Sequence, residues 1–367
     1  MSDYSHPDCN FLHRFYSRAL NNFRSLYIYL PPSYRIEPER YYPVLYMHDG
    51  QNIFTGEASY SGMGWEIHQT AQELIQGGAM EEIIIVGIAN IGEQRLNEYA
   101  HYDYHTFGKN VKGRGALYER FVLEDVMPFI EANFRVMTGP ENTGLMGSSM
   151  GGLITFMMGT HHPDVFGKLG IVSPSFWWSP TDLMPYVDSL DPAGMPDKLW
   201  IDMGDSEGGL KEGFDAVLGR LLELRDNPKS NFEMEAWIVP GGKHSEYDWQ
   251  MRAHCPLLYL FGDIGTPANL ELHAPDTVHQ GDLTHFLRPV LAYDSGFCVT
   301  PFEAKCWSAS PEILSLGWDL QLYPNAAGMT VLHGVFDQFK AACKCSVIAP
   351  QKSKREFGRQ RTMDHRP

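Results

Sequence analysis

The stretch that most constrains the fold is Thr143–Leu153, which reads TGLMGSSMGGL. A short apolar run leads into Gly-Ser-Ser-Met-Gly, and an apolar segment of small residues continues to Gly159. This order predicts a strand, a sharp turn and a helix, with Ser149 at the tip of the turn. Glycine is needed at Gly147 and Gly151 because the backbone of such a turn is crowded and a side chain would clash.

A serine in this position is predicted to be a nucleophile. Its hydroxyl would be exposed, and the free N–H groups at the start of the following helix would face a developing oxyanion. The alternative is an ordinary glycine-serine loop. The strand before the turn and the helix after it favour the catalytic interpretation.

Apolar periodicity along the first 260 residues predicts the fold class. Glu82–Ile88 is apolar on both faces, as an inner parallel strand must be. Residues 116–134 show helical spacing, and a last helix is predicted from about His244 to Leu260. Strands and helices alternate between these, which predicts an α/β protein with a mostly parallel sheet and helices on both faces. An antiparallel start followed by parallel units is typical of an α/β-hydrolase.

The composition changes after Gly262. Residues 280–349 show short alternating runs separated by Gly, Pro and Asn, with no long helix, which predicts a small β-sandwich. The last residues are polar and basic without periodicity, which predicts disorder. The predicted domains are a catalytic α/β domain at 1–265, an Ig-like sandwich at 266–350 and a disordered tail at 351–367.

Charge and composition exclude several classes of partner. The 367 residues carry a net charge of −16, which argues against nucleic acid and anionic membranes as main partners. Met1–Asn10 lacks an apolar stretch, no run approaches the ~20 apolar residues that span a bilayer, and cysteines are sparse. We therefore expect a cytoplasmic protein. Four of the six cysteines fall in the last quarter of the chain and match no standard zinc spacing, so neither metal nor organic cofactor is expected, and the sequence does not indicate an oligomeric state.

A serine nucleophile needs a base, and the base needs an orienting acid. In α/β-hydrolases these follow in the order Ser, Asp or Glu, His, each on a loop after a strand. The loop after the strand Leu199–Met203 carries Asp205 and Glu207, and the loop after Phe232–Val239 carries His244. We expect His244 to be the base. Glu207 is favoured as the acid because it lies further from the strand end, and Asp205 is the alternative.

The remaining site residues are predicted from neighbouring loops. The backbone N–H groups of Met150 and Gln51 are the expected oxyanion hole, the alternative being that His48–Asn52 is merely a polar turn. Trp177 and Trp178 follow another strand at the same edge, where they line either the substrate pocket or the core.

Several of these motifs resemble a known family. The runs PVLYMHDGQN at 43–52, GSSMGG at 147–152 and GGKH at 241–244, together with Arg95-x-x-Glu98-Tyr99, are similar to the Putative esterase branch of the α/β-hydrolases. That branch includes enterochelin-esterase-like hydrolases, feruloyl and acetyl-xylan esterases, S-formylglutathione hydrolase and mycolyltransferases. Many relatives have aspartate at the acid position, so glutamate is a departure and keeps Asp205 open. We expect Arg95, Glu98 and Tyr99 to form a buried structural ion-pair cluster.

The later residues resemble bacterial Ig-like domains of group 2, through WSASPEI at 307–313 and AGMTV at 327–331. Such modules usually occur in exported proteins, which leaves export as the alternative to a cytoplasmic location.

The sequence therefore predicts a serine esterase that works through an acyl-enzyme. The expected substrate is a short-chain acyl or aryl ester, either a small molecule or linked to carbohydrate, as acetyl and feruloyl groups are. One alternative is an acyltransferase with the same triad, in which an alcohol acceptor replaces water. The other is a non-catalytic binding or scaffold protein in which the Ig-like module does the work.

Overall fold

The computed structural model describes residues 9–56, 59 and 61–349. The predicted tail at 351–367 lies outside these residues, as does most of Met1–Asn10. Contacts divide the chain into two compact units. The first contains the residues up to Asn269 and Val290–Thr300, and the second contains Leu270–Pro289 and the residues from Pro301 on.

An eight-stranded sheet forms the centre of the first unit. Its order is β1-β2-β4-β3-β7-β8-β9-β10, and β5 and β6 form a separate hairpin. The pairs from β4 across to β10 are parallel, and β1–β2 and β2–β4 are antiparallel. In chain order the strands are β1 (Cys9–Ser17), β2 (Asn22–Tyr29), β3 (Val44–His48), β4 (Ile84–Ile88), β5 (Tyr104–Thr106), β6 (Lys109–Val111), β7 (Thr143–Ser148), β8 (Lys168–Val172), β9 (Lys198–Gly204) and β10 (Glu233–Val239).

Helices cover both faces of this sheet. A Cβ on Gly144 of β7 would lie 2.8 Å from the ring of Phe261, whereas a Cβ on Gly147 would lie 2.8 Å from the backbone of Gly151. Residues three apart on a strand point to opposite faces, so α10 and α6 pack on opposite sides. The helices are α1 (Gly50–Ile53), α2 (Ile67–Gln76), α3 (Arg95–Glu98), α4 (Gly115–Phe121), α5 (Met127–Asn133), α6 (Met150–His161), α7 (Pro180–Asp188), α8 (Phe214–Arg225), α9 (Glu246–Arg252) and α10 (His254–Phe261).

The predicted α/β class with a mostly parallel sheet is confirmed, but two predicted helices are interrupted. The helix expected at 116–134 contains a π-helical turn, Val122–Val126, between α4 and α5. The last helix, expected as one element from His244 to Leu260, consists of α9 and α10. Pro256 lacks an N–H and cannot continue the helical hydrogen-bond ladder across this point.

Short strands form the later part of the chain. The second unit has a four-stranded sheet of order β12-β19-β18-β15 and a β16–β17 hairpin. A small all-β module therefore follows the α/β domain, as predicted, and its Ig-like character remains a prediction. The strands are β11 (Pro267–His273), β12 (Thr277–His279), β13 (Arg288–Tyr293), β14 (Cys298–Val299), β15 (Trp307–Ser308), β16 (Leu314–Leu316), β17 (Leu322–Pro324), β18 (Gly328–Phe336) and β19 (Phe339–Ile348).

Two segments from the range predicted for the module belong to the first unit, residues 266–269 and Val290–Thr300. Val290–Thr300 joins it because Thr300 bonds to β10. Its N–H donates to Ala236 O at 2.8 Å, and its Oγ1 accepts from Ile238 N at 3.0 Å. Separately, none of the helices in the described part of the chain is both long and apolar enough to cross a membrane.

Candidate active site

Ser149 lies at a strained turn between β7 and α6. Its backbone has φ 60° and ψ −125°, a conformation that costs a non-glycine residue energy and marks functional turns. Two backbone bonds hold the turn: Ser149 N–H donates to Val172 O at 3.1 Å, and Ser175 N–H donates to Ser149 O at 3.0 Å. A Cβ on Gly147 would lie 2.8 Å from the Gly151 backbone, so the predicted need for glycine has a direct steric cause.

The Ser149 hydroxyl is half-buried at the carboxyl edge of the sheet. Its Oγ lies 3.3 Å from Ser175 Oγ, which belongs to a buried residue on the loop after β8. Among the hydrogen bonds of the described residues, none joins Ser149 directly to His244. The hydroxyl is therefore held by a neighbouring serine in this structure.

His244 and Glu207 form a close hydrogen-bonded pair. His244 Nδ1–H donates to Glu207 Oε2 at 2.6 Å, the Glu207 side chain is fully buried, and the imidazole is 18% exposed. The other carboxylate oxygen accepts from Ser173 Oγ at 2.6 Å and from Gly204 N at 2.8 Å. Burial opposes ionisation, but the bonds from His244 and Ser173 outweigh it and lower the pKa of Glu207. The pair is thus an imidazole held in one orientation by an ionised carboxylate.

Asp205 has different contacts. Its Oδ1 accepts from Gly241 N at 2.8 Å and from Ser206 Oγ at 3.0 Å, so it holds the turn that precedes His244. Of the two carboxylates that the sequence offered, the one that contacts His244 is Glu207.

A buried network behind Glu207 was not foreseen from the sequence. Ser173 Oγ accepts from Trp249 Nε1 at 3.0 Å and from Arg252 Nη2 at 2.7 Å. Arg252 also pairs with Asp202 at 2.8 Å, and burial raises the pKa of that carboxyl despite the pair. The only sequence signal was that Ser173 follows a strand at the same edge as the other site residues.

The loop after β3 lies beside the start of α6. Asp49 adopts the left-handed conformation at φ 56°, and the short helix α1 follows. A Cβ on Gly151 would lie 3.2 Å from Asp49 Oδ2, which shows how closely the two helix starts approach. Gln51 and Met150 both lie in first helical turns, where backbone N–H groups lack a partner four residues back. Gln51 Oε1 also accepts from Asn90 N at 3.1 Å, which fixes the loop.

An ion pair holds this loop in place. Arg95 Nε and Nη2 donate to the two oxygens of Asp49, each at 2.7 Å, and Tyr99 OH accepts from Asp49 N at 3.1 Å. Burial opposes ionisation of Asp49, but Arg95 outweighs it and lowers the pKa of that carboxyl. The predicted cluster of Arg95 with Glu98 is therefore wrong, because Glu98 pairs instead with the fully buried Arg24.

His48, the last residue of β3, has a neutral ring. Burial lowers the pKa of His48 to about 3, and its Nδ1 lies 2.9 Å from Tyr118 OH. Although it borders the site, this histidine is not charged at neutral pH.

The two tryptophans have different environments. Trp178 is buried, and its Nε1 donates to Tyr102 O at 3.1 Å. Trp177 is half-buried and packs against Phe107, with ring centroids 5.9 Å apart, and Tyr104, with centroids 6.5 Å apart. Phe107 is 75% exposed. Trp177 and the hairpin rings thus form an aromatic surface two residues beyond Ser175.

The chain is similar to several known proteins. A model of the family described as "Putative esterase" matches residues 17–254. The uncharacterized protein YbbA of Bacillus subtilis is 27% identical over 192 residues, 52% of this chain and 71% of that protein. An endo-1,4-beta-xylanase/feruloyl esterase of Xylanibacter ruminicola is 24% identical over 246 residues, which cover 64% of this chain and 29% of that protein.

A solved structure shows the same fold. The crystal structure of an IroE-like serine hydrolase from Shewanella oneidensis has a TM-score of 0.57 and 22% identity, over 70% of this chain and 81% of that chain. With the observed sheet order, this likeness confirms the predicted α/β-hydrolase fold.

Proposed function

The chain belongs to the Putative esterase family, as its motifs predict, and from this premise we propose that it is a serine carboxylic-ester hydrolase working through an acyl-enzyme. The family match supports ester hydrolysis as the reaction class. The observation that carries the serine mechanism is the 2.6 Å bond between His244 and Glu207 at the sheet edge where Ser149 occupies its strained turn. These are the base, the acid and the nucleophile of a triad.

In acylation, the Ser149 hydroxyl turns from Ser175 toward His244. The Oγ forms a bond to the ester carbonyl carbon, and His244 Nε2 takes the hydroxyl proton. Such catalytic contacts often tighten only when substrate is bound. Glu207 stabilises the imidazolium and keeps Nδ1 as the protonated nitrogen. The carbonyl oxygen becomes an oxyanion, which accepts from the N–H groups of Gln51 and Met150.

Collapse of this intermediate breaks the bond between the carbonyl carbon and the alcohol oxygen. His244 returns its proton to the leaving alcohol, which leaves the acyl group on Ser149. Water then attacks the acyl-enzyme with His244 again as base, and the acid product and free Ser149 are released.

The aromatic surface favours aryl esters among the substrates that the sequence allows. Trp177, two residues after Ser175, offers ring faces and edges together with Tyr104 and Phe107, and a planar aryl group would gain both apolar burial and ring contacts there. A relative whose name includes feruloyl esterase activity agrees with this choice. Trp178 packs against Trp177, with the two ring centroids 5.7 Å apart.

The test is a comparison of initial rates on p-nitrophenyl acetate, p-nitrophenyl octanoate, methyl ferulate and an acetylated xylan oligomer. We expect methyl ferulate to give the highest kcat/KM, and Ser149→Ala to abolish turnover of every member. Folded wild-type protein without activity on any of them would refute the proposal. A preference for the acetyl or octanoyl acyl groups over the feruloyl group would refute the aryl assignment alone.

A further inference from the structure

A cluster of metal-ligating side chains lies away from the proposed triad. His101, Glu119 and His161 each offer one ligand atom, and these atoms all lie within 4.8 Å of one another. His101 Nε2 and His161 Nδ1 both lie 2.8 Å from the same atom, Glu119 Oε1. The three residues come from separate segments: the loop after α3, the helix α4 and the last turn of α6.

A fourth residue holds the other carboxylate oxygen. His162 Nε2 lies 3.4 Å from Glu119 Oε2. Glu119 is buried. The cluster therefore places one buried carboxylate oxygen between two imidazole nitrogens.

From this convergence we propose that His101, Glu119 and His161 bind a divalent transition-metal ion of the zinc class, with His162 orienting Glu119 as an outer partner. Two imidazoles and one carboxylate are ligands that suit zinc and its neighbours, whereas calcium and magnesium prefer oxygen alone. Ligating carboxylates are commonly held by a further hydrogen bond of this kind. A bound ion would replace the two short nitrogen–oxygen contacts with three metal–ligand bonds of about 2.0–2.2 Å.

The position of the cluster separates it from the proposed esterase site. Ser149 directly precedes α6 and His161 is its last residue, so the two lie about 18 Å apart along a helix of twelve residues. A cation at this end also faces the negative end of the helix dipole. The ion would tie α6 to α4 and to the segment before the β5–β6 hairpin, which carries the aromatic surface.

The test uses the full chain after treatment with a chelator. Zinc chloride is titrated by isothermal calorimetry, and the bound metal is counted by native mass spectrometry. We expect one zinc ion per chain and a higher Tm with zinc present. His161→Ala is the first variant, since its side chain is 30% exposed and its loss leaves the core intact. It should bind zinc roughly 100-fold more weakly or worse, because even outer partners of a metal are worth roughly 10–100-fold.

His105→Ala is the matched control, because it removes an exposed histidine outside the cluster. It should bind zinc as the wild type does and show the same rise in Tm. Equal binding by the wild type and His161→Ala, or no binding by either, would overturn the proposal and leave the cluster as a hydrogen-bonded ion pair. None of these outcomes depends on esterase activity.

Discussion

Replacing Glu207 with glutamine tests the proposed acid without changing the shape of a fully buried side chain. The amide oxygen of glutamine can still accept from Ser173 and Gly204, as Oε1 does now. The amide NH₂ then faces His244 Nδ1, where it can only donate. The imidazole must therefore expose Nε2 as N–H, and it cannot take the Ser149 proton.

The size of the effect follows from this wrong tautomer. The equivalent change in a Ser-His-Asp triad lowers kcat by about 10⁴-fold, which corresponds to about 5.4 kcal/mol of transition-state stabilisation. We expect a similar loss of kcat on methyl ferulate for Glu207→Gln, with KM changed little because the acid does not contact substrate. Initial rates of ferulate release over a range of methyl ferulate concentrations give kcat and KM. Circular dichroism establishes that the variant is folded.

Asp205→Asn is the matched control. An asparagine oxygen can still accept from Gly241 and Ser206, so we expect kcat to fall by less than about threefold. If Asp205→Asn lost activity while Glu207→Gln kept more than a tenth of it, the reasoning from the His244 contact would be refuted and Asp205 would be the acid.

Three further predictions concern the loop, the turn and the pocket. Arg95→Met should cost about 3 kcal/mol of unfolding free energy at pH 7, because it leaves the buried Asp49 carboxylate without its cationic partner and with only Asn90 as a side-chain donor. The native pair lowers the pKa of Asp49, so the stabilisation from this pair is present above the ordinary carboxyl pKa and is lost as the pH falls. Urea unfolding at pH 7 and at pH 3.5 should therefore show a smaller difference in unfolding free energy between the wild type and Arg95→Met at the lower pH. A difference that stays constant would contradict this. Gly147→Ala should lower the unfolding free energy by about 1–3 kcal/mol and remove most of kcat, because the added Cβ pushes the Gly151 backbone away. An unchanged Tm in thermal unfolding would contradict this. Trp177→Ala should lower kcat/KM for methyl ferulate about tenfold or more and leave kcat/KM for p-nitrophenyl acetate nearly unchanged. Equal losses on both substrates would contradict binding of the feruloyl group at the aromatic surface.

The parts of the site that could be predicted are those that a local sequence pattern determines. The Gly-x-Ser-x-Gly turn, the strand before it and the start of the helix after it all lie within about a dozen residues. Glu207 and His244 could be predicted in this order because each follows the end of one of two consecutive strands. The sequence favoured Glu207 over Asp205 because Glu207 lies further from the strand end, and Glu207 is the residue that contacts His244.

The parts that could not be predicted depend on register and on distant segments. Ser173 reaches Glu207 because β8 pairs with β9 in a register that sets Val172 beside Asp202, which no local pattern shows. Arg95 pairs with Asp49, whereas its near neighbour Glu98 pairs with Arg24 from β2, and no local pattern shows this exchange of partners. The proposed metal ligands are likewise far apart in sequence and carry no spacing signal.

The central claim, that Ser149 is the nucleophile, is tested most directly by a fluorophosphonate probe and the mass of the intact protein. Attack by the serine oxygen on phosphorus releases fluoride and leaves one covalent adduct, which peptide mapping locates. We predict one adduct per chain on Ser149, absent from Ser149→Ala and still formed by Ser175→Ala, whose hydroxyl is the nearest serine neighbour. An adduct that persists in Ser149→Ala, or that maps to another residue, would contradict the account.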